Sequence, residues 1–203
     1  SRVDVAEFFD SIRRTGVGVN VATLVGQGSV RGQVMGGSFM RPATPAEVER
    51  MRELVAQAMK EGAVGLSTGL IYLPGTYTKT EELIELAKVA GAHGGIYASH
   101  MRAETVQIFS ALDELIRIAR EARMPAQVSH IKLSGPAAWG RTDEVAAKLA
   151  AARREGLEIH HDQYLYTASS TSISTLVPTE AREGKPEDFR ARLADPKKKA
   201  AIV

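Results

Sequence analysis

Two phrases of one form constrain this chain most: Ala98-Ser99-His100-Met101-Arg102 and Val128-Ser129-His130-Ile131-Lys132. Each closes an apolar run that reads as a buried strand, over 95–101 and 126–131. Between them Val106, Phe109, Leu112, Leu115, Ile116 and Ala119 recur at helical spacing. A strand, a crossover helix and a second strand in one sheet are parallel neighbours, about 4.8 Å apart. Side chains alternate along a strand. Ala98, His100 and Arg102 should therefore share one face, and Val128, His130 and Lys132 likewise. On this reading His100 and His130 emerge side by side at the same level. They are then placed to share one metal ion, with Zn–N of about 2.0–2.1 Å. The bland alternative is two hydrogen-bonded interior histidines at a polar sheet end.

The rest of the chain repeats the same alternation. A helix over 5–15 carries Val5, Phe8, Phe9 and Ile12 as its apolar stripe, and the β-branched run 17–25 reads as a strand. A glycine-rich loop follows to Arg41. Thr44, Pro45 and Glu47 then write a capping box and a first helical turn. Val48, Met51, Leu54, Val55 and Ala58 form that helix's buried stripe, and Gly62 ends it. A strand over 63–70 leads to the turn 71–75. Thr78 and Glu81 suggest a capping box before a helix over 82–92. Thr142 should cap a helix that stops near Gly156, before a strand over 157–166.

Strand and helix thus alternate five times. The last strand starts fall about 31 residues apart, the size of a βαβ unit. Such alternation means α/β architecture, a parallel sheet covered by helices. Five strands would complete an open doubly wound sheet but fill only part of an eight-stranded barrel. Periodicity leaves both open. From 171 to 203 no clear strand recurs, so 1–170 reads as the sheet domain and 171–203 as an insertion or lid, with a helix over 186–193. Lys197-Lys198-Lys199 is read as a solvated helix face.

Composition narrows the partners. The 203 residues are 44% hydrophobic and 25% charged, ordinary for a globular chain. A net charge of +2 makes no case for nucleic acid or an anionic membrane. With no cysteine, neither a disulfide nor a thiolate metal site can come from this chain. No apolar run nears the roughly 20 residues of a membrane span. The start, Ser1-Arg2-Val3-Asp4, resembles neither a signal peptide nor an initiator, so it reads as a cut edge, and a cytoplasmic location is expected.

Other residues add chemistry. Lys132 and Arg102 lie on the histidine faces, and a cation beside a metal needs an anion between. Each could serve a substrate carboxylate or a fixed acid partner, and the bland alternative is an ion pair with Glu104 or Asp162. Tyr72 directly follows a strand, where its phenol could donate to a developing oxyanion. The stretch 161–170 is polar for the end of a buried strand, which favours a site there. His93 falls in a turn and is read as a surface residue. The glycine-rich stretch 26–32 fits neither dinucleotide nor P-loop spacing.

Four motifs in order resemble the N-acyl-D-amino-acid deacylases (D-aminoacylases) of the amidohydrolase superfamily: Gly65-Leu66-Ser67-Thr68-Gly69-Leu70-Ile71-Tyr72, Ser99-His100-Met101-Arg102, Ser129-His130-Ile131-Lys132, and Asp162-Gln163-Tyr164-Leu165-Tyr166-Thr167-Ala168-Ser169-Ser170-Thr171. The stretch 20–26 joins them, with Arg31 and Val34-Met35-Gly36. The resemblance implies a zinc-dependent (β/α)8 TIM barrel of which these are strands three to seven. It makes His100 and His130 metal ligands and Tyr72 a catalytic residue. Lys132, Tyr164 and Ser170 become binding residues for a small N-acyl-D-amino acid. The tail from Thr171 resembles the insertion before strand eight.

The family's His-x-His pair, bridging cysteine and late catalytic aspartate have no counterpart in residues 1–203, and Gln27 stands where the family usually has histidine. The chain is thus expected to be an inactive middle piece of such an enzyme. The open barrel edges invite a homo-oligomer. The alternatives are a non-catalytic, barrel-derived module that binds a metal or a partner, and a related cyclic-amide hydrolase.

Overall fold

A computed structural model of the protein describes residues 3–184 and 186–202. The chain divides into two compact units, one running to Tyr164 and the other starting at Leu165. In the first, five strands form one parallel sheet: β1 (Val25–Gly26), β2 (Gly65–Gly69), β3 (Ile96–His100), β4 (Ala126–Val128) and β5 (Ile159–His161). Their order across the sheet is their order along the chain. A doubly wound sheet reverses direction at a switch point; this one never does. Strands that advance one place at a time, each followed by a helix, are the arc of a (β/α) barrel, so the architecture is the partial barrel.

Helices α1 (Val5–Thr15), α2 (Gln27–Met35), α3 (Pro45–Lys60), α4 (Thr80–Ala92), α5 (Ile108–Ala122) and α6 (Thr142–Arg154) belong to this unit. Leu66, Tyr97, Ala126, Val128 and Ile159 meet Met51, Val55, Leu83, Leu86, Leu112, Leu115 and Leu149 in one continuous core between sheet and helices. Fully burying such side chains stabilises by about 1.5–3 kcal/mol each. The capping box at Thr44 and Glu47 is present in both directions. The helix over 5–15 has the expected bounds, although Phe8 on its stripe stays exposed.

Several local expectations fail for physical reasons. The run 17–25 pairs as a strand only at Val25 and Gly26. Its neighbour β2 begins at Gly65, and the Val64 amide donates to the Thr23 carbonyl as the last rung before it. Among the described residues no strand lies beside the chain before Thr23, and Val17 and Val19 are exposed. The glycine-rich stretch after it is largely helix α2. Glycine disfavours helix, but Gln27 and Arg31, one turn apart and fully buried, both reach Glu82 on α4. Arg31 also donates to the carbonyls of Phe39 and Arg41. Tertiary ties thus impose a helix that local propensity opposes. Thr78 does not cap α4. Its hydroxyl is buried and accepts from Gln27 Nε2 at 2.9 Å, leaving Lys79 at the cap. Thr142 lies inside α6, one residue past its N-cap Arg141.

The second unit holds two turns of 3-10 helix, Ile173–Leu176 and Thr179–Arg182, then α7 (Pro186–Ala194) and α8 (Pro196–Ile202). Arg192 ties it together by donating to the carbonyls of Ala181 at 2.8 Å and Glu183 at 2.6 Å. The three lysines 197–199 lie exposed on α8.

Candidate metal centre

His100 ends β3 and His130 follows β4, and their rings meet edge to face with centroids 4.4 Å apart. Glu104, from the loop after β3, joins them. Its Oε1 lies 3.0 Å from His130 Nδ1. His100, Glu104 and His130 each offer a donor atom within 4.8 Å of the others. Neutral imidazole nitrogens and a carboxylate are the donor types that divalent zinc takes.

His100 meets the requirement for a neutral donor. Burial pushes its pKa down to about 4; Glu104 opposes the shift, and His130 and Lys132 add to it. Its Nε2 is buried without a hydrogen-bond partner among the described residues. A buried polar atom left unpaired costs free energy, and a metal or a substrate group would relieve it. Beneath β3, the Thr68 hydroxyl donates to Ser99 Oγ at 2.9 Å and lies 2.9 Å from the Tyr97 hydroxyl. Tyr97 is fully buried, and burial pushes its phenol up to about 12.

Tyr72 stands over the same centre, its ring centroid 5.0 Å from that of His100. Gly69 makes this approach possible, since a Cβ there would meet the Tyr72 ring at 2.9 Å. Tyr72, His100, Ser29, Ser67 and Thr68 line an open cleft of about 640 Å³.

Lys132 reaches the centre from beyond His130. Its ammonium donates to Glu104, and to the His130 carbonyl at 2.8 Å, and lies 2.9 Å from His130 Nδ1. It also lies 5.6 Å from the centroid of the Tyr164 ring. Tyr164 itself is half-buried, and its hydroxyl has no partner among the described residues. Ser170 belongs to the second unit, on exposed irregular chain.

Arg102 departs from its expected place on the histidine face. It forms a bidentate pair with Glu114, at 2.9 and 3.0 Å, and donates to the carbonyls of Thr76 and Thr78. That arrangement staples loop to helix and leaves the centre to Lys132. Of the two acids named for a bland ion pair, Glu104 takes Lys132, and Asp162 binds the main chain of His130. The sequence signal for Glu104 as a centre residue was thin: an acid four positions after His100, the spacing of a helical neighbour in a segment that is not helix.

The shared face of Val128 and His130 is also corrected. Ala98 pairs with Gln127, and Ser99 with Val128. Val128 therefore lies on the face opposite His100, and β4 stops there. His130 reaches His100 by leaving the strand, with φ +42.

No protein-family model matches the chain. It is 41% identical over 168 residues to a D-aminoacylase of Alcaligenes xylosoxydans xylosoxydans, covering 83% of this chain and 34% of that protein. It is 35% identical over 170 residues to an N-acyl-D-glutamate deacylase of the same organism, covering 84% and 35%. The crystal structure of an N-acyl-D-glutamate deacylase from Bordetella bronchiseptica superposes with a TM-score of 0.82 at 32% identity, over 98% of this chain and 44% of that one. That crystal holds zinc and a phosphonate inhibitor that mimics the tetrahedral intermediate. The chain thus spans about a third of the length of the curated relatives it matches.

Proposed function

Over the length it covers, the chain belongs to the N-acyl-D-amino-acid deacylases of the amidohydrolase superfamily, and from that premise we propose that it supplies the strand-three-to-seven part of a zinc-dependent enzyme that hydrolyses N-acyl-D-amino acids. The observation that carries this reading is the convergence of His100 and His130 beneath Tyr72, with an unpaired buried nitrogen on His100.

Of the three donors, His100 and His130 would hold the ion, while Glu104 is engaged by His130 and Lys132. When bound, zinc lowers the pKa of its water and polarises the amide carbonyl. Glu104 lies against His130 Nδ1, so Nε2 would be the nitrogen of that ring left for an ion. The Tyr72 phenol donates to the carbonyl oxygen as negative charge builds on it. Lys132 takes the substrate carboxylate, sharing its charge with Glu104, and the Tyr164 hydroxyl supplies a further donor beside it. Ser170 keeps the substrate-binding role that the family motif gives it. The remaining ligands and the residue that moves the proton are not among residues 1–203, so this chain alone is expected to hydrolyse nothing.

A chimera tests the proposal. In the Alcaligenes D-aminoacylase, the homologous segment is replaced by this one. The chimera should bind zinc and hydrolyse N-acetyl-D-amino acids, and Tyr72→Phe should lower kcat by about 100-fold, the usual loss for one oxyanion donor. A folded, zinc-loaded chimera with no D-substrate hydrolysis would contradict it, as would hydrolysis by the 203-residue chain itself.

A further inference from the structure

The register between β3 and β4 poses a problem that the chain solves in one residue. In-register partners point to the same face of a sheet, and successive residues to opposite faces. Val128 shares its face with Ser99, so the next residue, Ser129, would share the face of His100. Continued alternation would turn His130 away from His100, toward the helices. A slip of one residue flips every side chain to the other face. The rings nevertheless lie 4.4 Å apart.

The turn at His130 makes the difference. Its φ of +42 lies in the left-handed region, which costs a non-glycine residue about 1 kcal/mol or more. Such a conformation persists only when its surroundings hold it. Arg123 also has positive φ, but as an ordinary helix C-cap. His130 caps nothing. Its amide instead donates to Asp162 Oδ1 at 2.6 Å, and Gln127 Nε2 donates to Asp162 Oδ2 at 2.6 Å. The Asp162 main chain grips both sides of the same turn: its amide donates to the Val128 carbonyl at 3.1 Å, and its carbonyl accepts from Ile131 at 2.9 Å.

We propose that Asp162 is a positioning residue of the metal centre: its carboxylate holds the left-handed turn that swings His130 across the sheet to meet His100. The inference rests on the metal reading above for its purpose, but the clamp is a property of the backbone and can be tested without metal. Asp162 touches neither ion nor substrate in this role. A charge-assisted bond to a backbone amide is about twice as strong as a neutral one, which suits it to a strained turn.

The test uses the 203-residue chain, its Asp162→Asn, Asp162→Ala and Gln127→Leu variants, zinc titration, and amide exchange read by NMR. In the parent, the His130 amide should exchange slowly. Asp162→Asn keeps an acceptor, so exchange should stay slow and zinc affinity within about threefold of the parent. Asp162→Ala should expose the amide and weaken zinc about 10- to 100-fold, the usual loss for a partner one shell out. Gln127→Leu leaves Asp162 in place and should cost about two- to fivefold, which keeps the test alive if Asp162→Ala does not fold. The clamp is overturned if the His130 amide exchanges alike in the parent and a folded Asp162→Ala chain, or if neither alanine nor leucine variant weakens zinc. Failure of the parent to bind zinc would count against the metal reading, while the exchange data would still decide the clamp.

Discussion

The ends of β3 and β4 present the same Ser-His phrase by different means. At β3 the strand is regular for five residues and paired on both sides, and His100 is its last member. At β4 the strand is three residues long, and His130 arrives through a left-handed turn gripped by Asp162. One imidazole is placed by the sheet, and the other by a side chain on the next strand. A shared Ser-His phrase therefore does not imply a shared local geometry. The register of the neighbouring strand decides whether a residue two past the last rung faces the centre or the helices.

Substitutions at the two histidines should have the largest effects. His100→Ala and His130→Ala are each expected to weaken zinc by more than about 100-fold, beyond what partners one shell out contribute. A loss at one position and not the other, measured by competition titration, would break the equivalence of the two ligands. Glu104→Gln comes next. It keeps an acceptor for His130 Nδ1 but releases the charge of Lys132, and should weaken zinc about tenfold. Glu104 also lies within 4.8 Å of His100, so combining Glu104→Gln with His100→Ala should cost less than the sum of the two single losses.

Stability in the absence of metal separates the two ends in the opposite sense. Glycine relieves a positive φ but weakens a strand. His130→Gly should thus be less destabilising than His100→Gly by about 1 kcal/mol, read from urea midpoints. Equal costs would mean that His130 is not held in a strained turn.

Stability of the metal-free chain should also depend on pH. Burial holds His100 near 4 in the folded chain, below its ordinary 6.5. Between those values the unfolded chain binds a proton that the folded one does not. The metal-free chain should therefore lose stability as pH falls through that window, and below about 4 the loss from this group levels off. His100→Asn should flatten the slope. An unchanged slope would show that the imbalance lies at other groups.

Much of the scaffold was legible in the amino-acid order because local and tertiary preferences agree there. Thr44, Pro45 and Glu47 write a helix start that packing does not contradict, and β2 through β5 fall inside the expected runs, though shorter than them. What failed lies where distant residues decide. Gln27 and Arg31 force a glycine-rich segment into helix through Glu82. Thr78, spaced for a cap, is drawn to Gln27 instead. Strand alternation paired His100 with His130 for a mistaken reason, since it assumed a register one residue off and a strand that continued. No local pattern announces a left-handed histidine, because the residue that holds it stands thirty-two positions downstream.

The central claim is that His100 and His130 bind one metal ion together. Zinc-edge X-ray absorption on the chain loaded with one equivalent tests it most directly. The account predicts two imidazole nitrogens at about 2.0–2.1 Å from the ion, one of them lost in each single histidine variant. A spectrum with oxygen donors alone, or with a single imidazole that persists when either histidine is replaced, would contradict it.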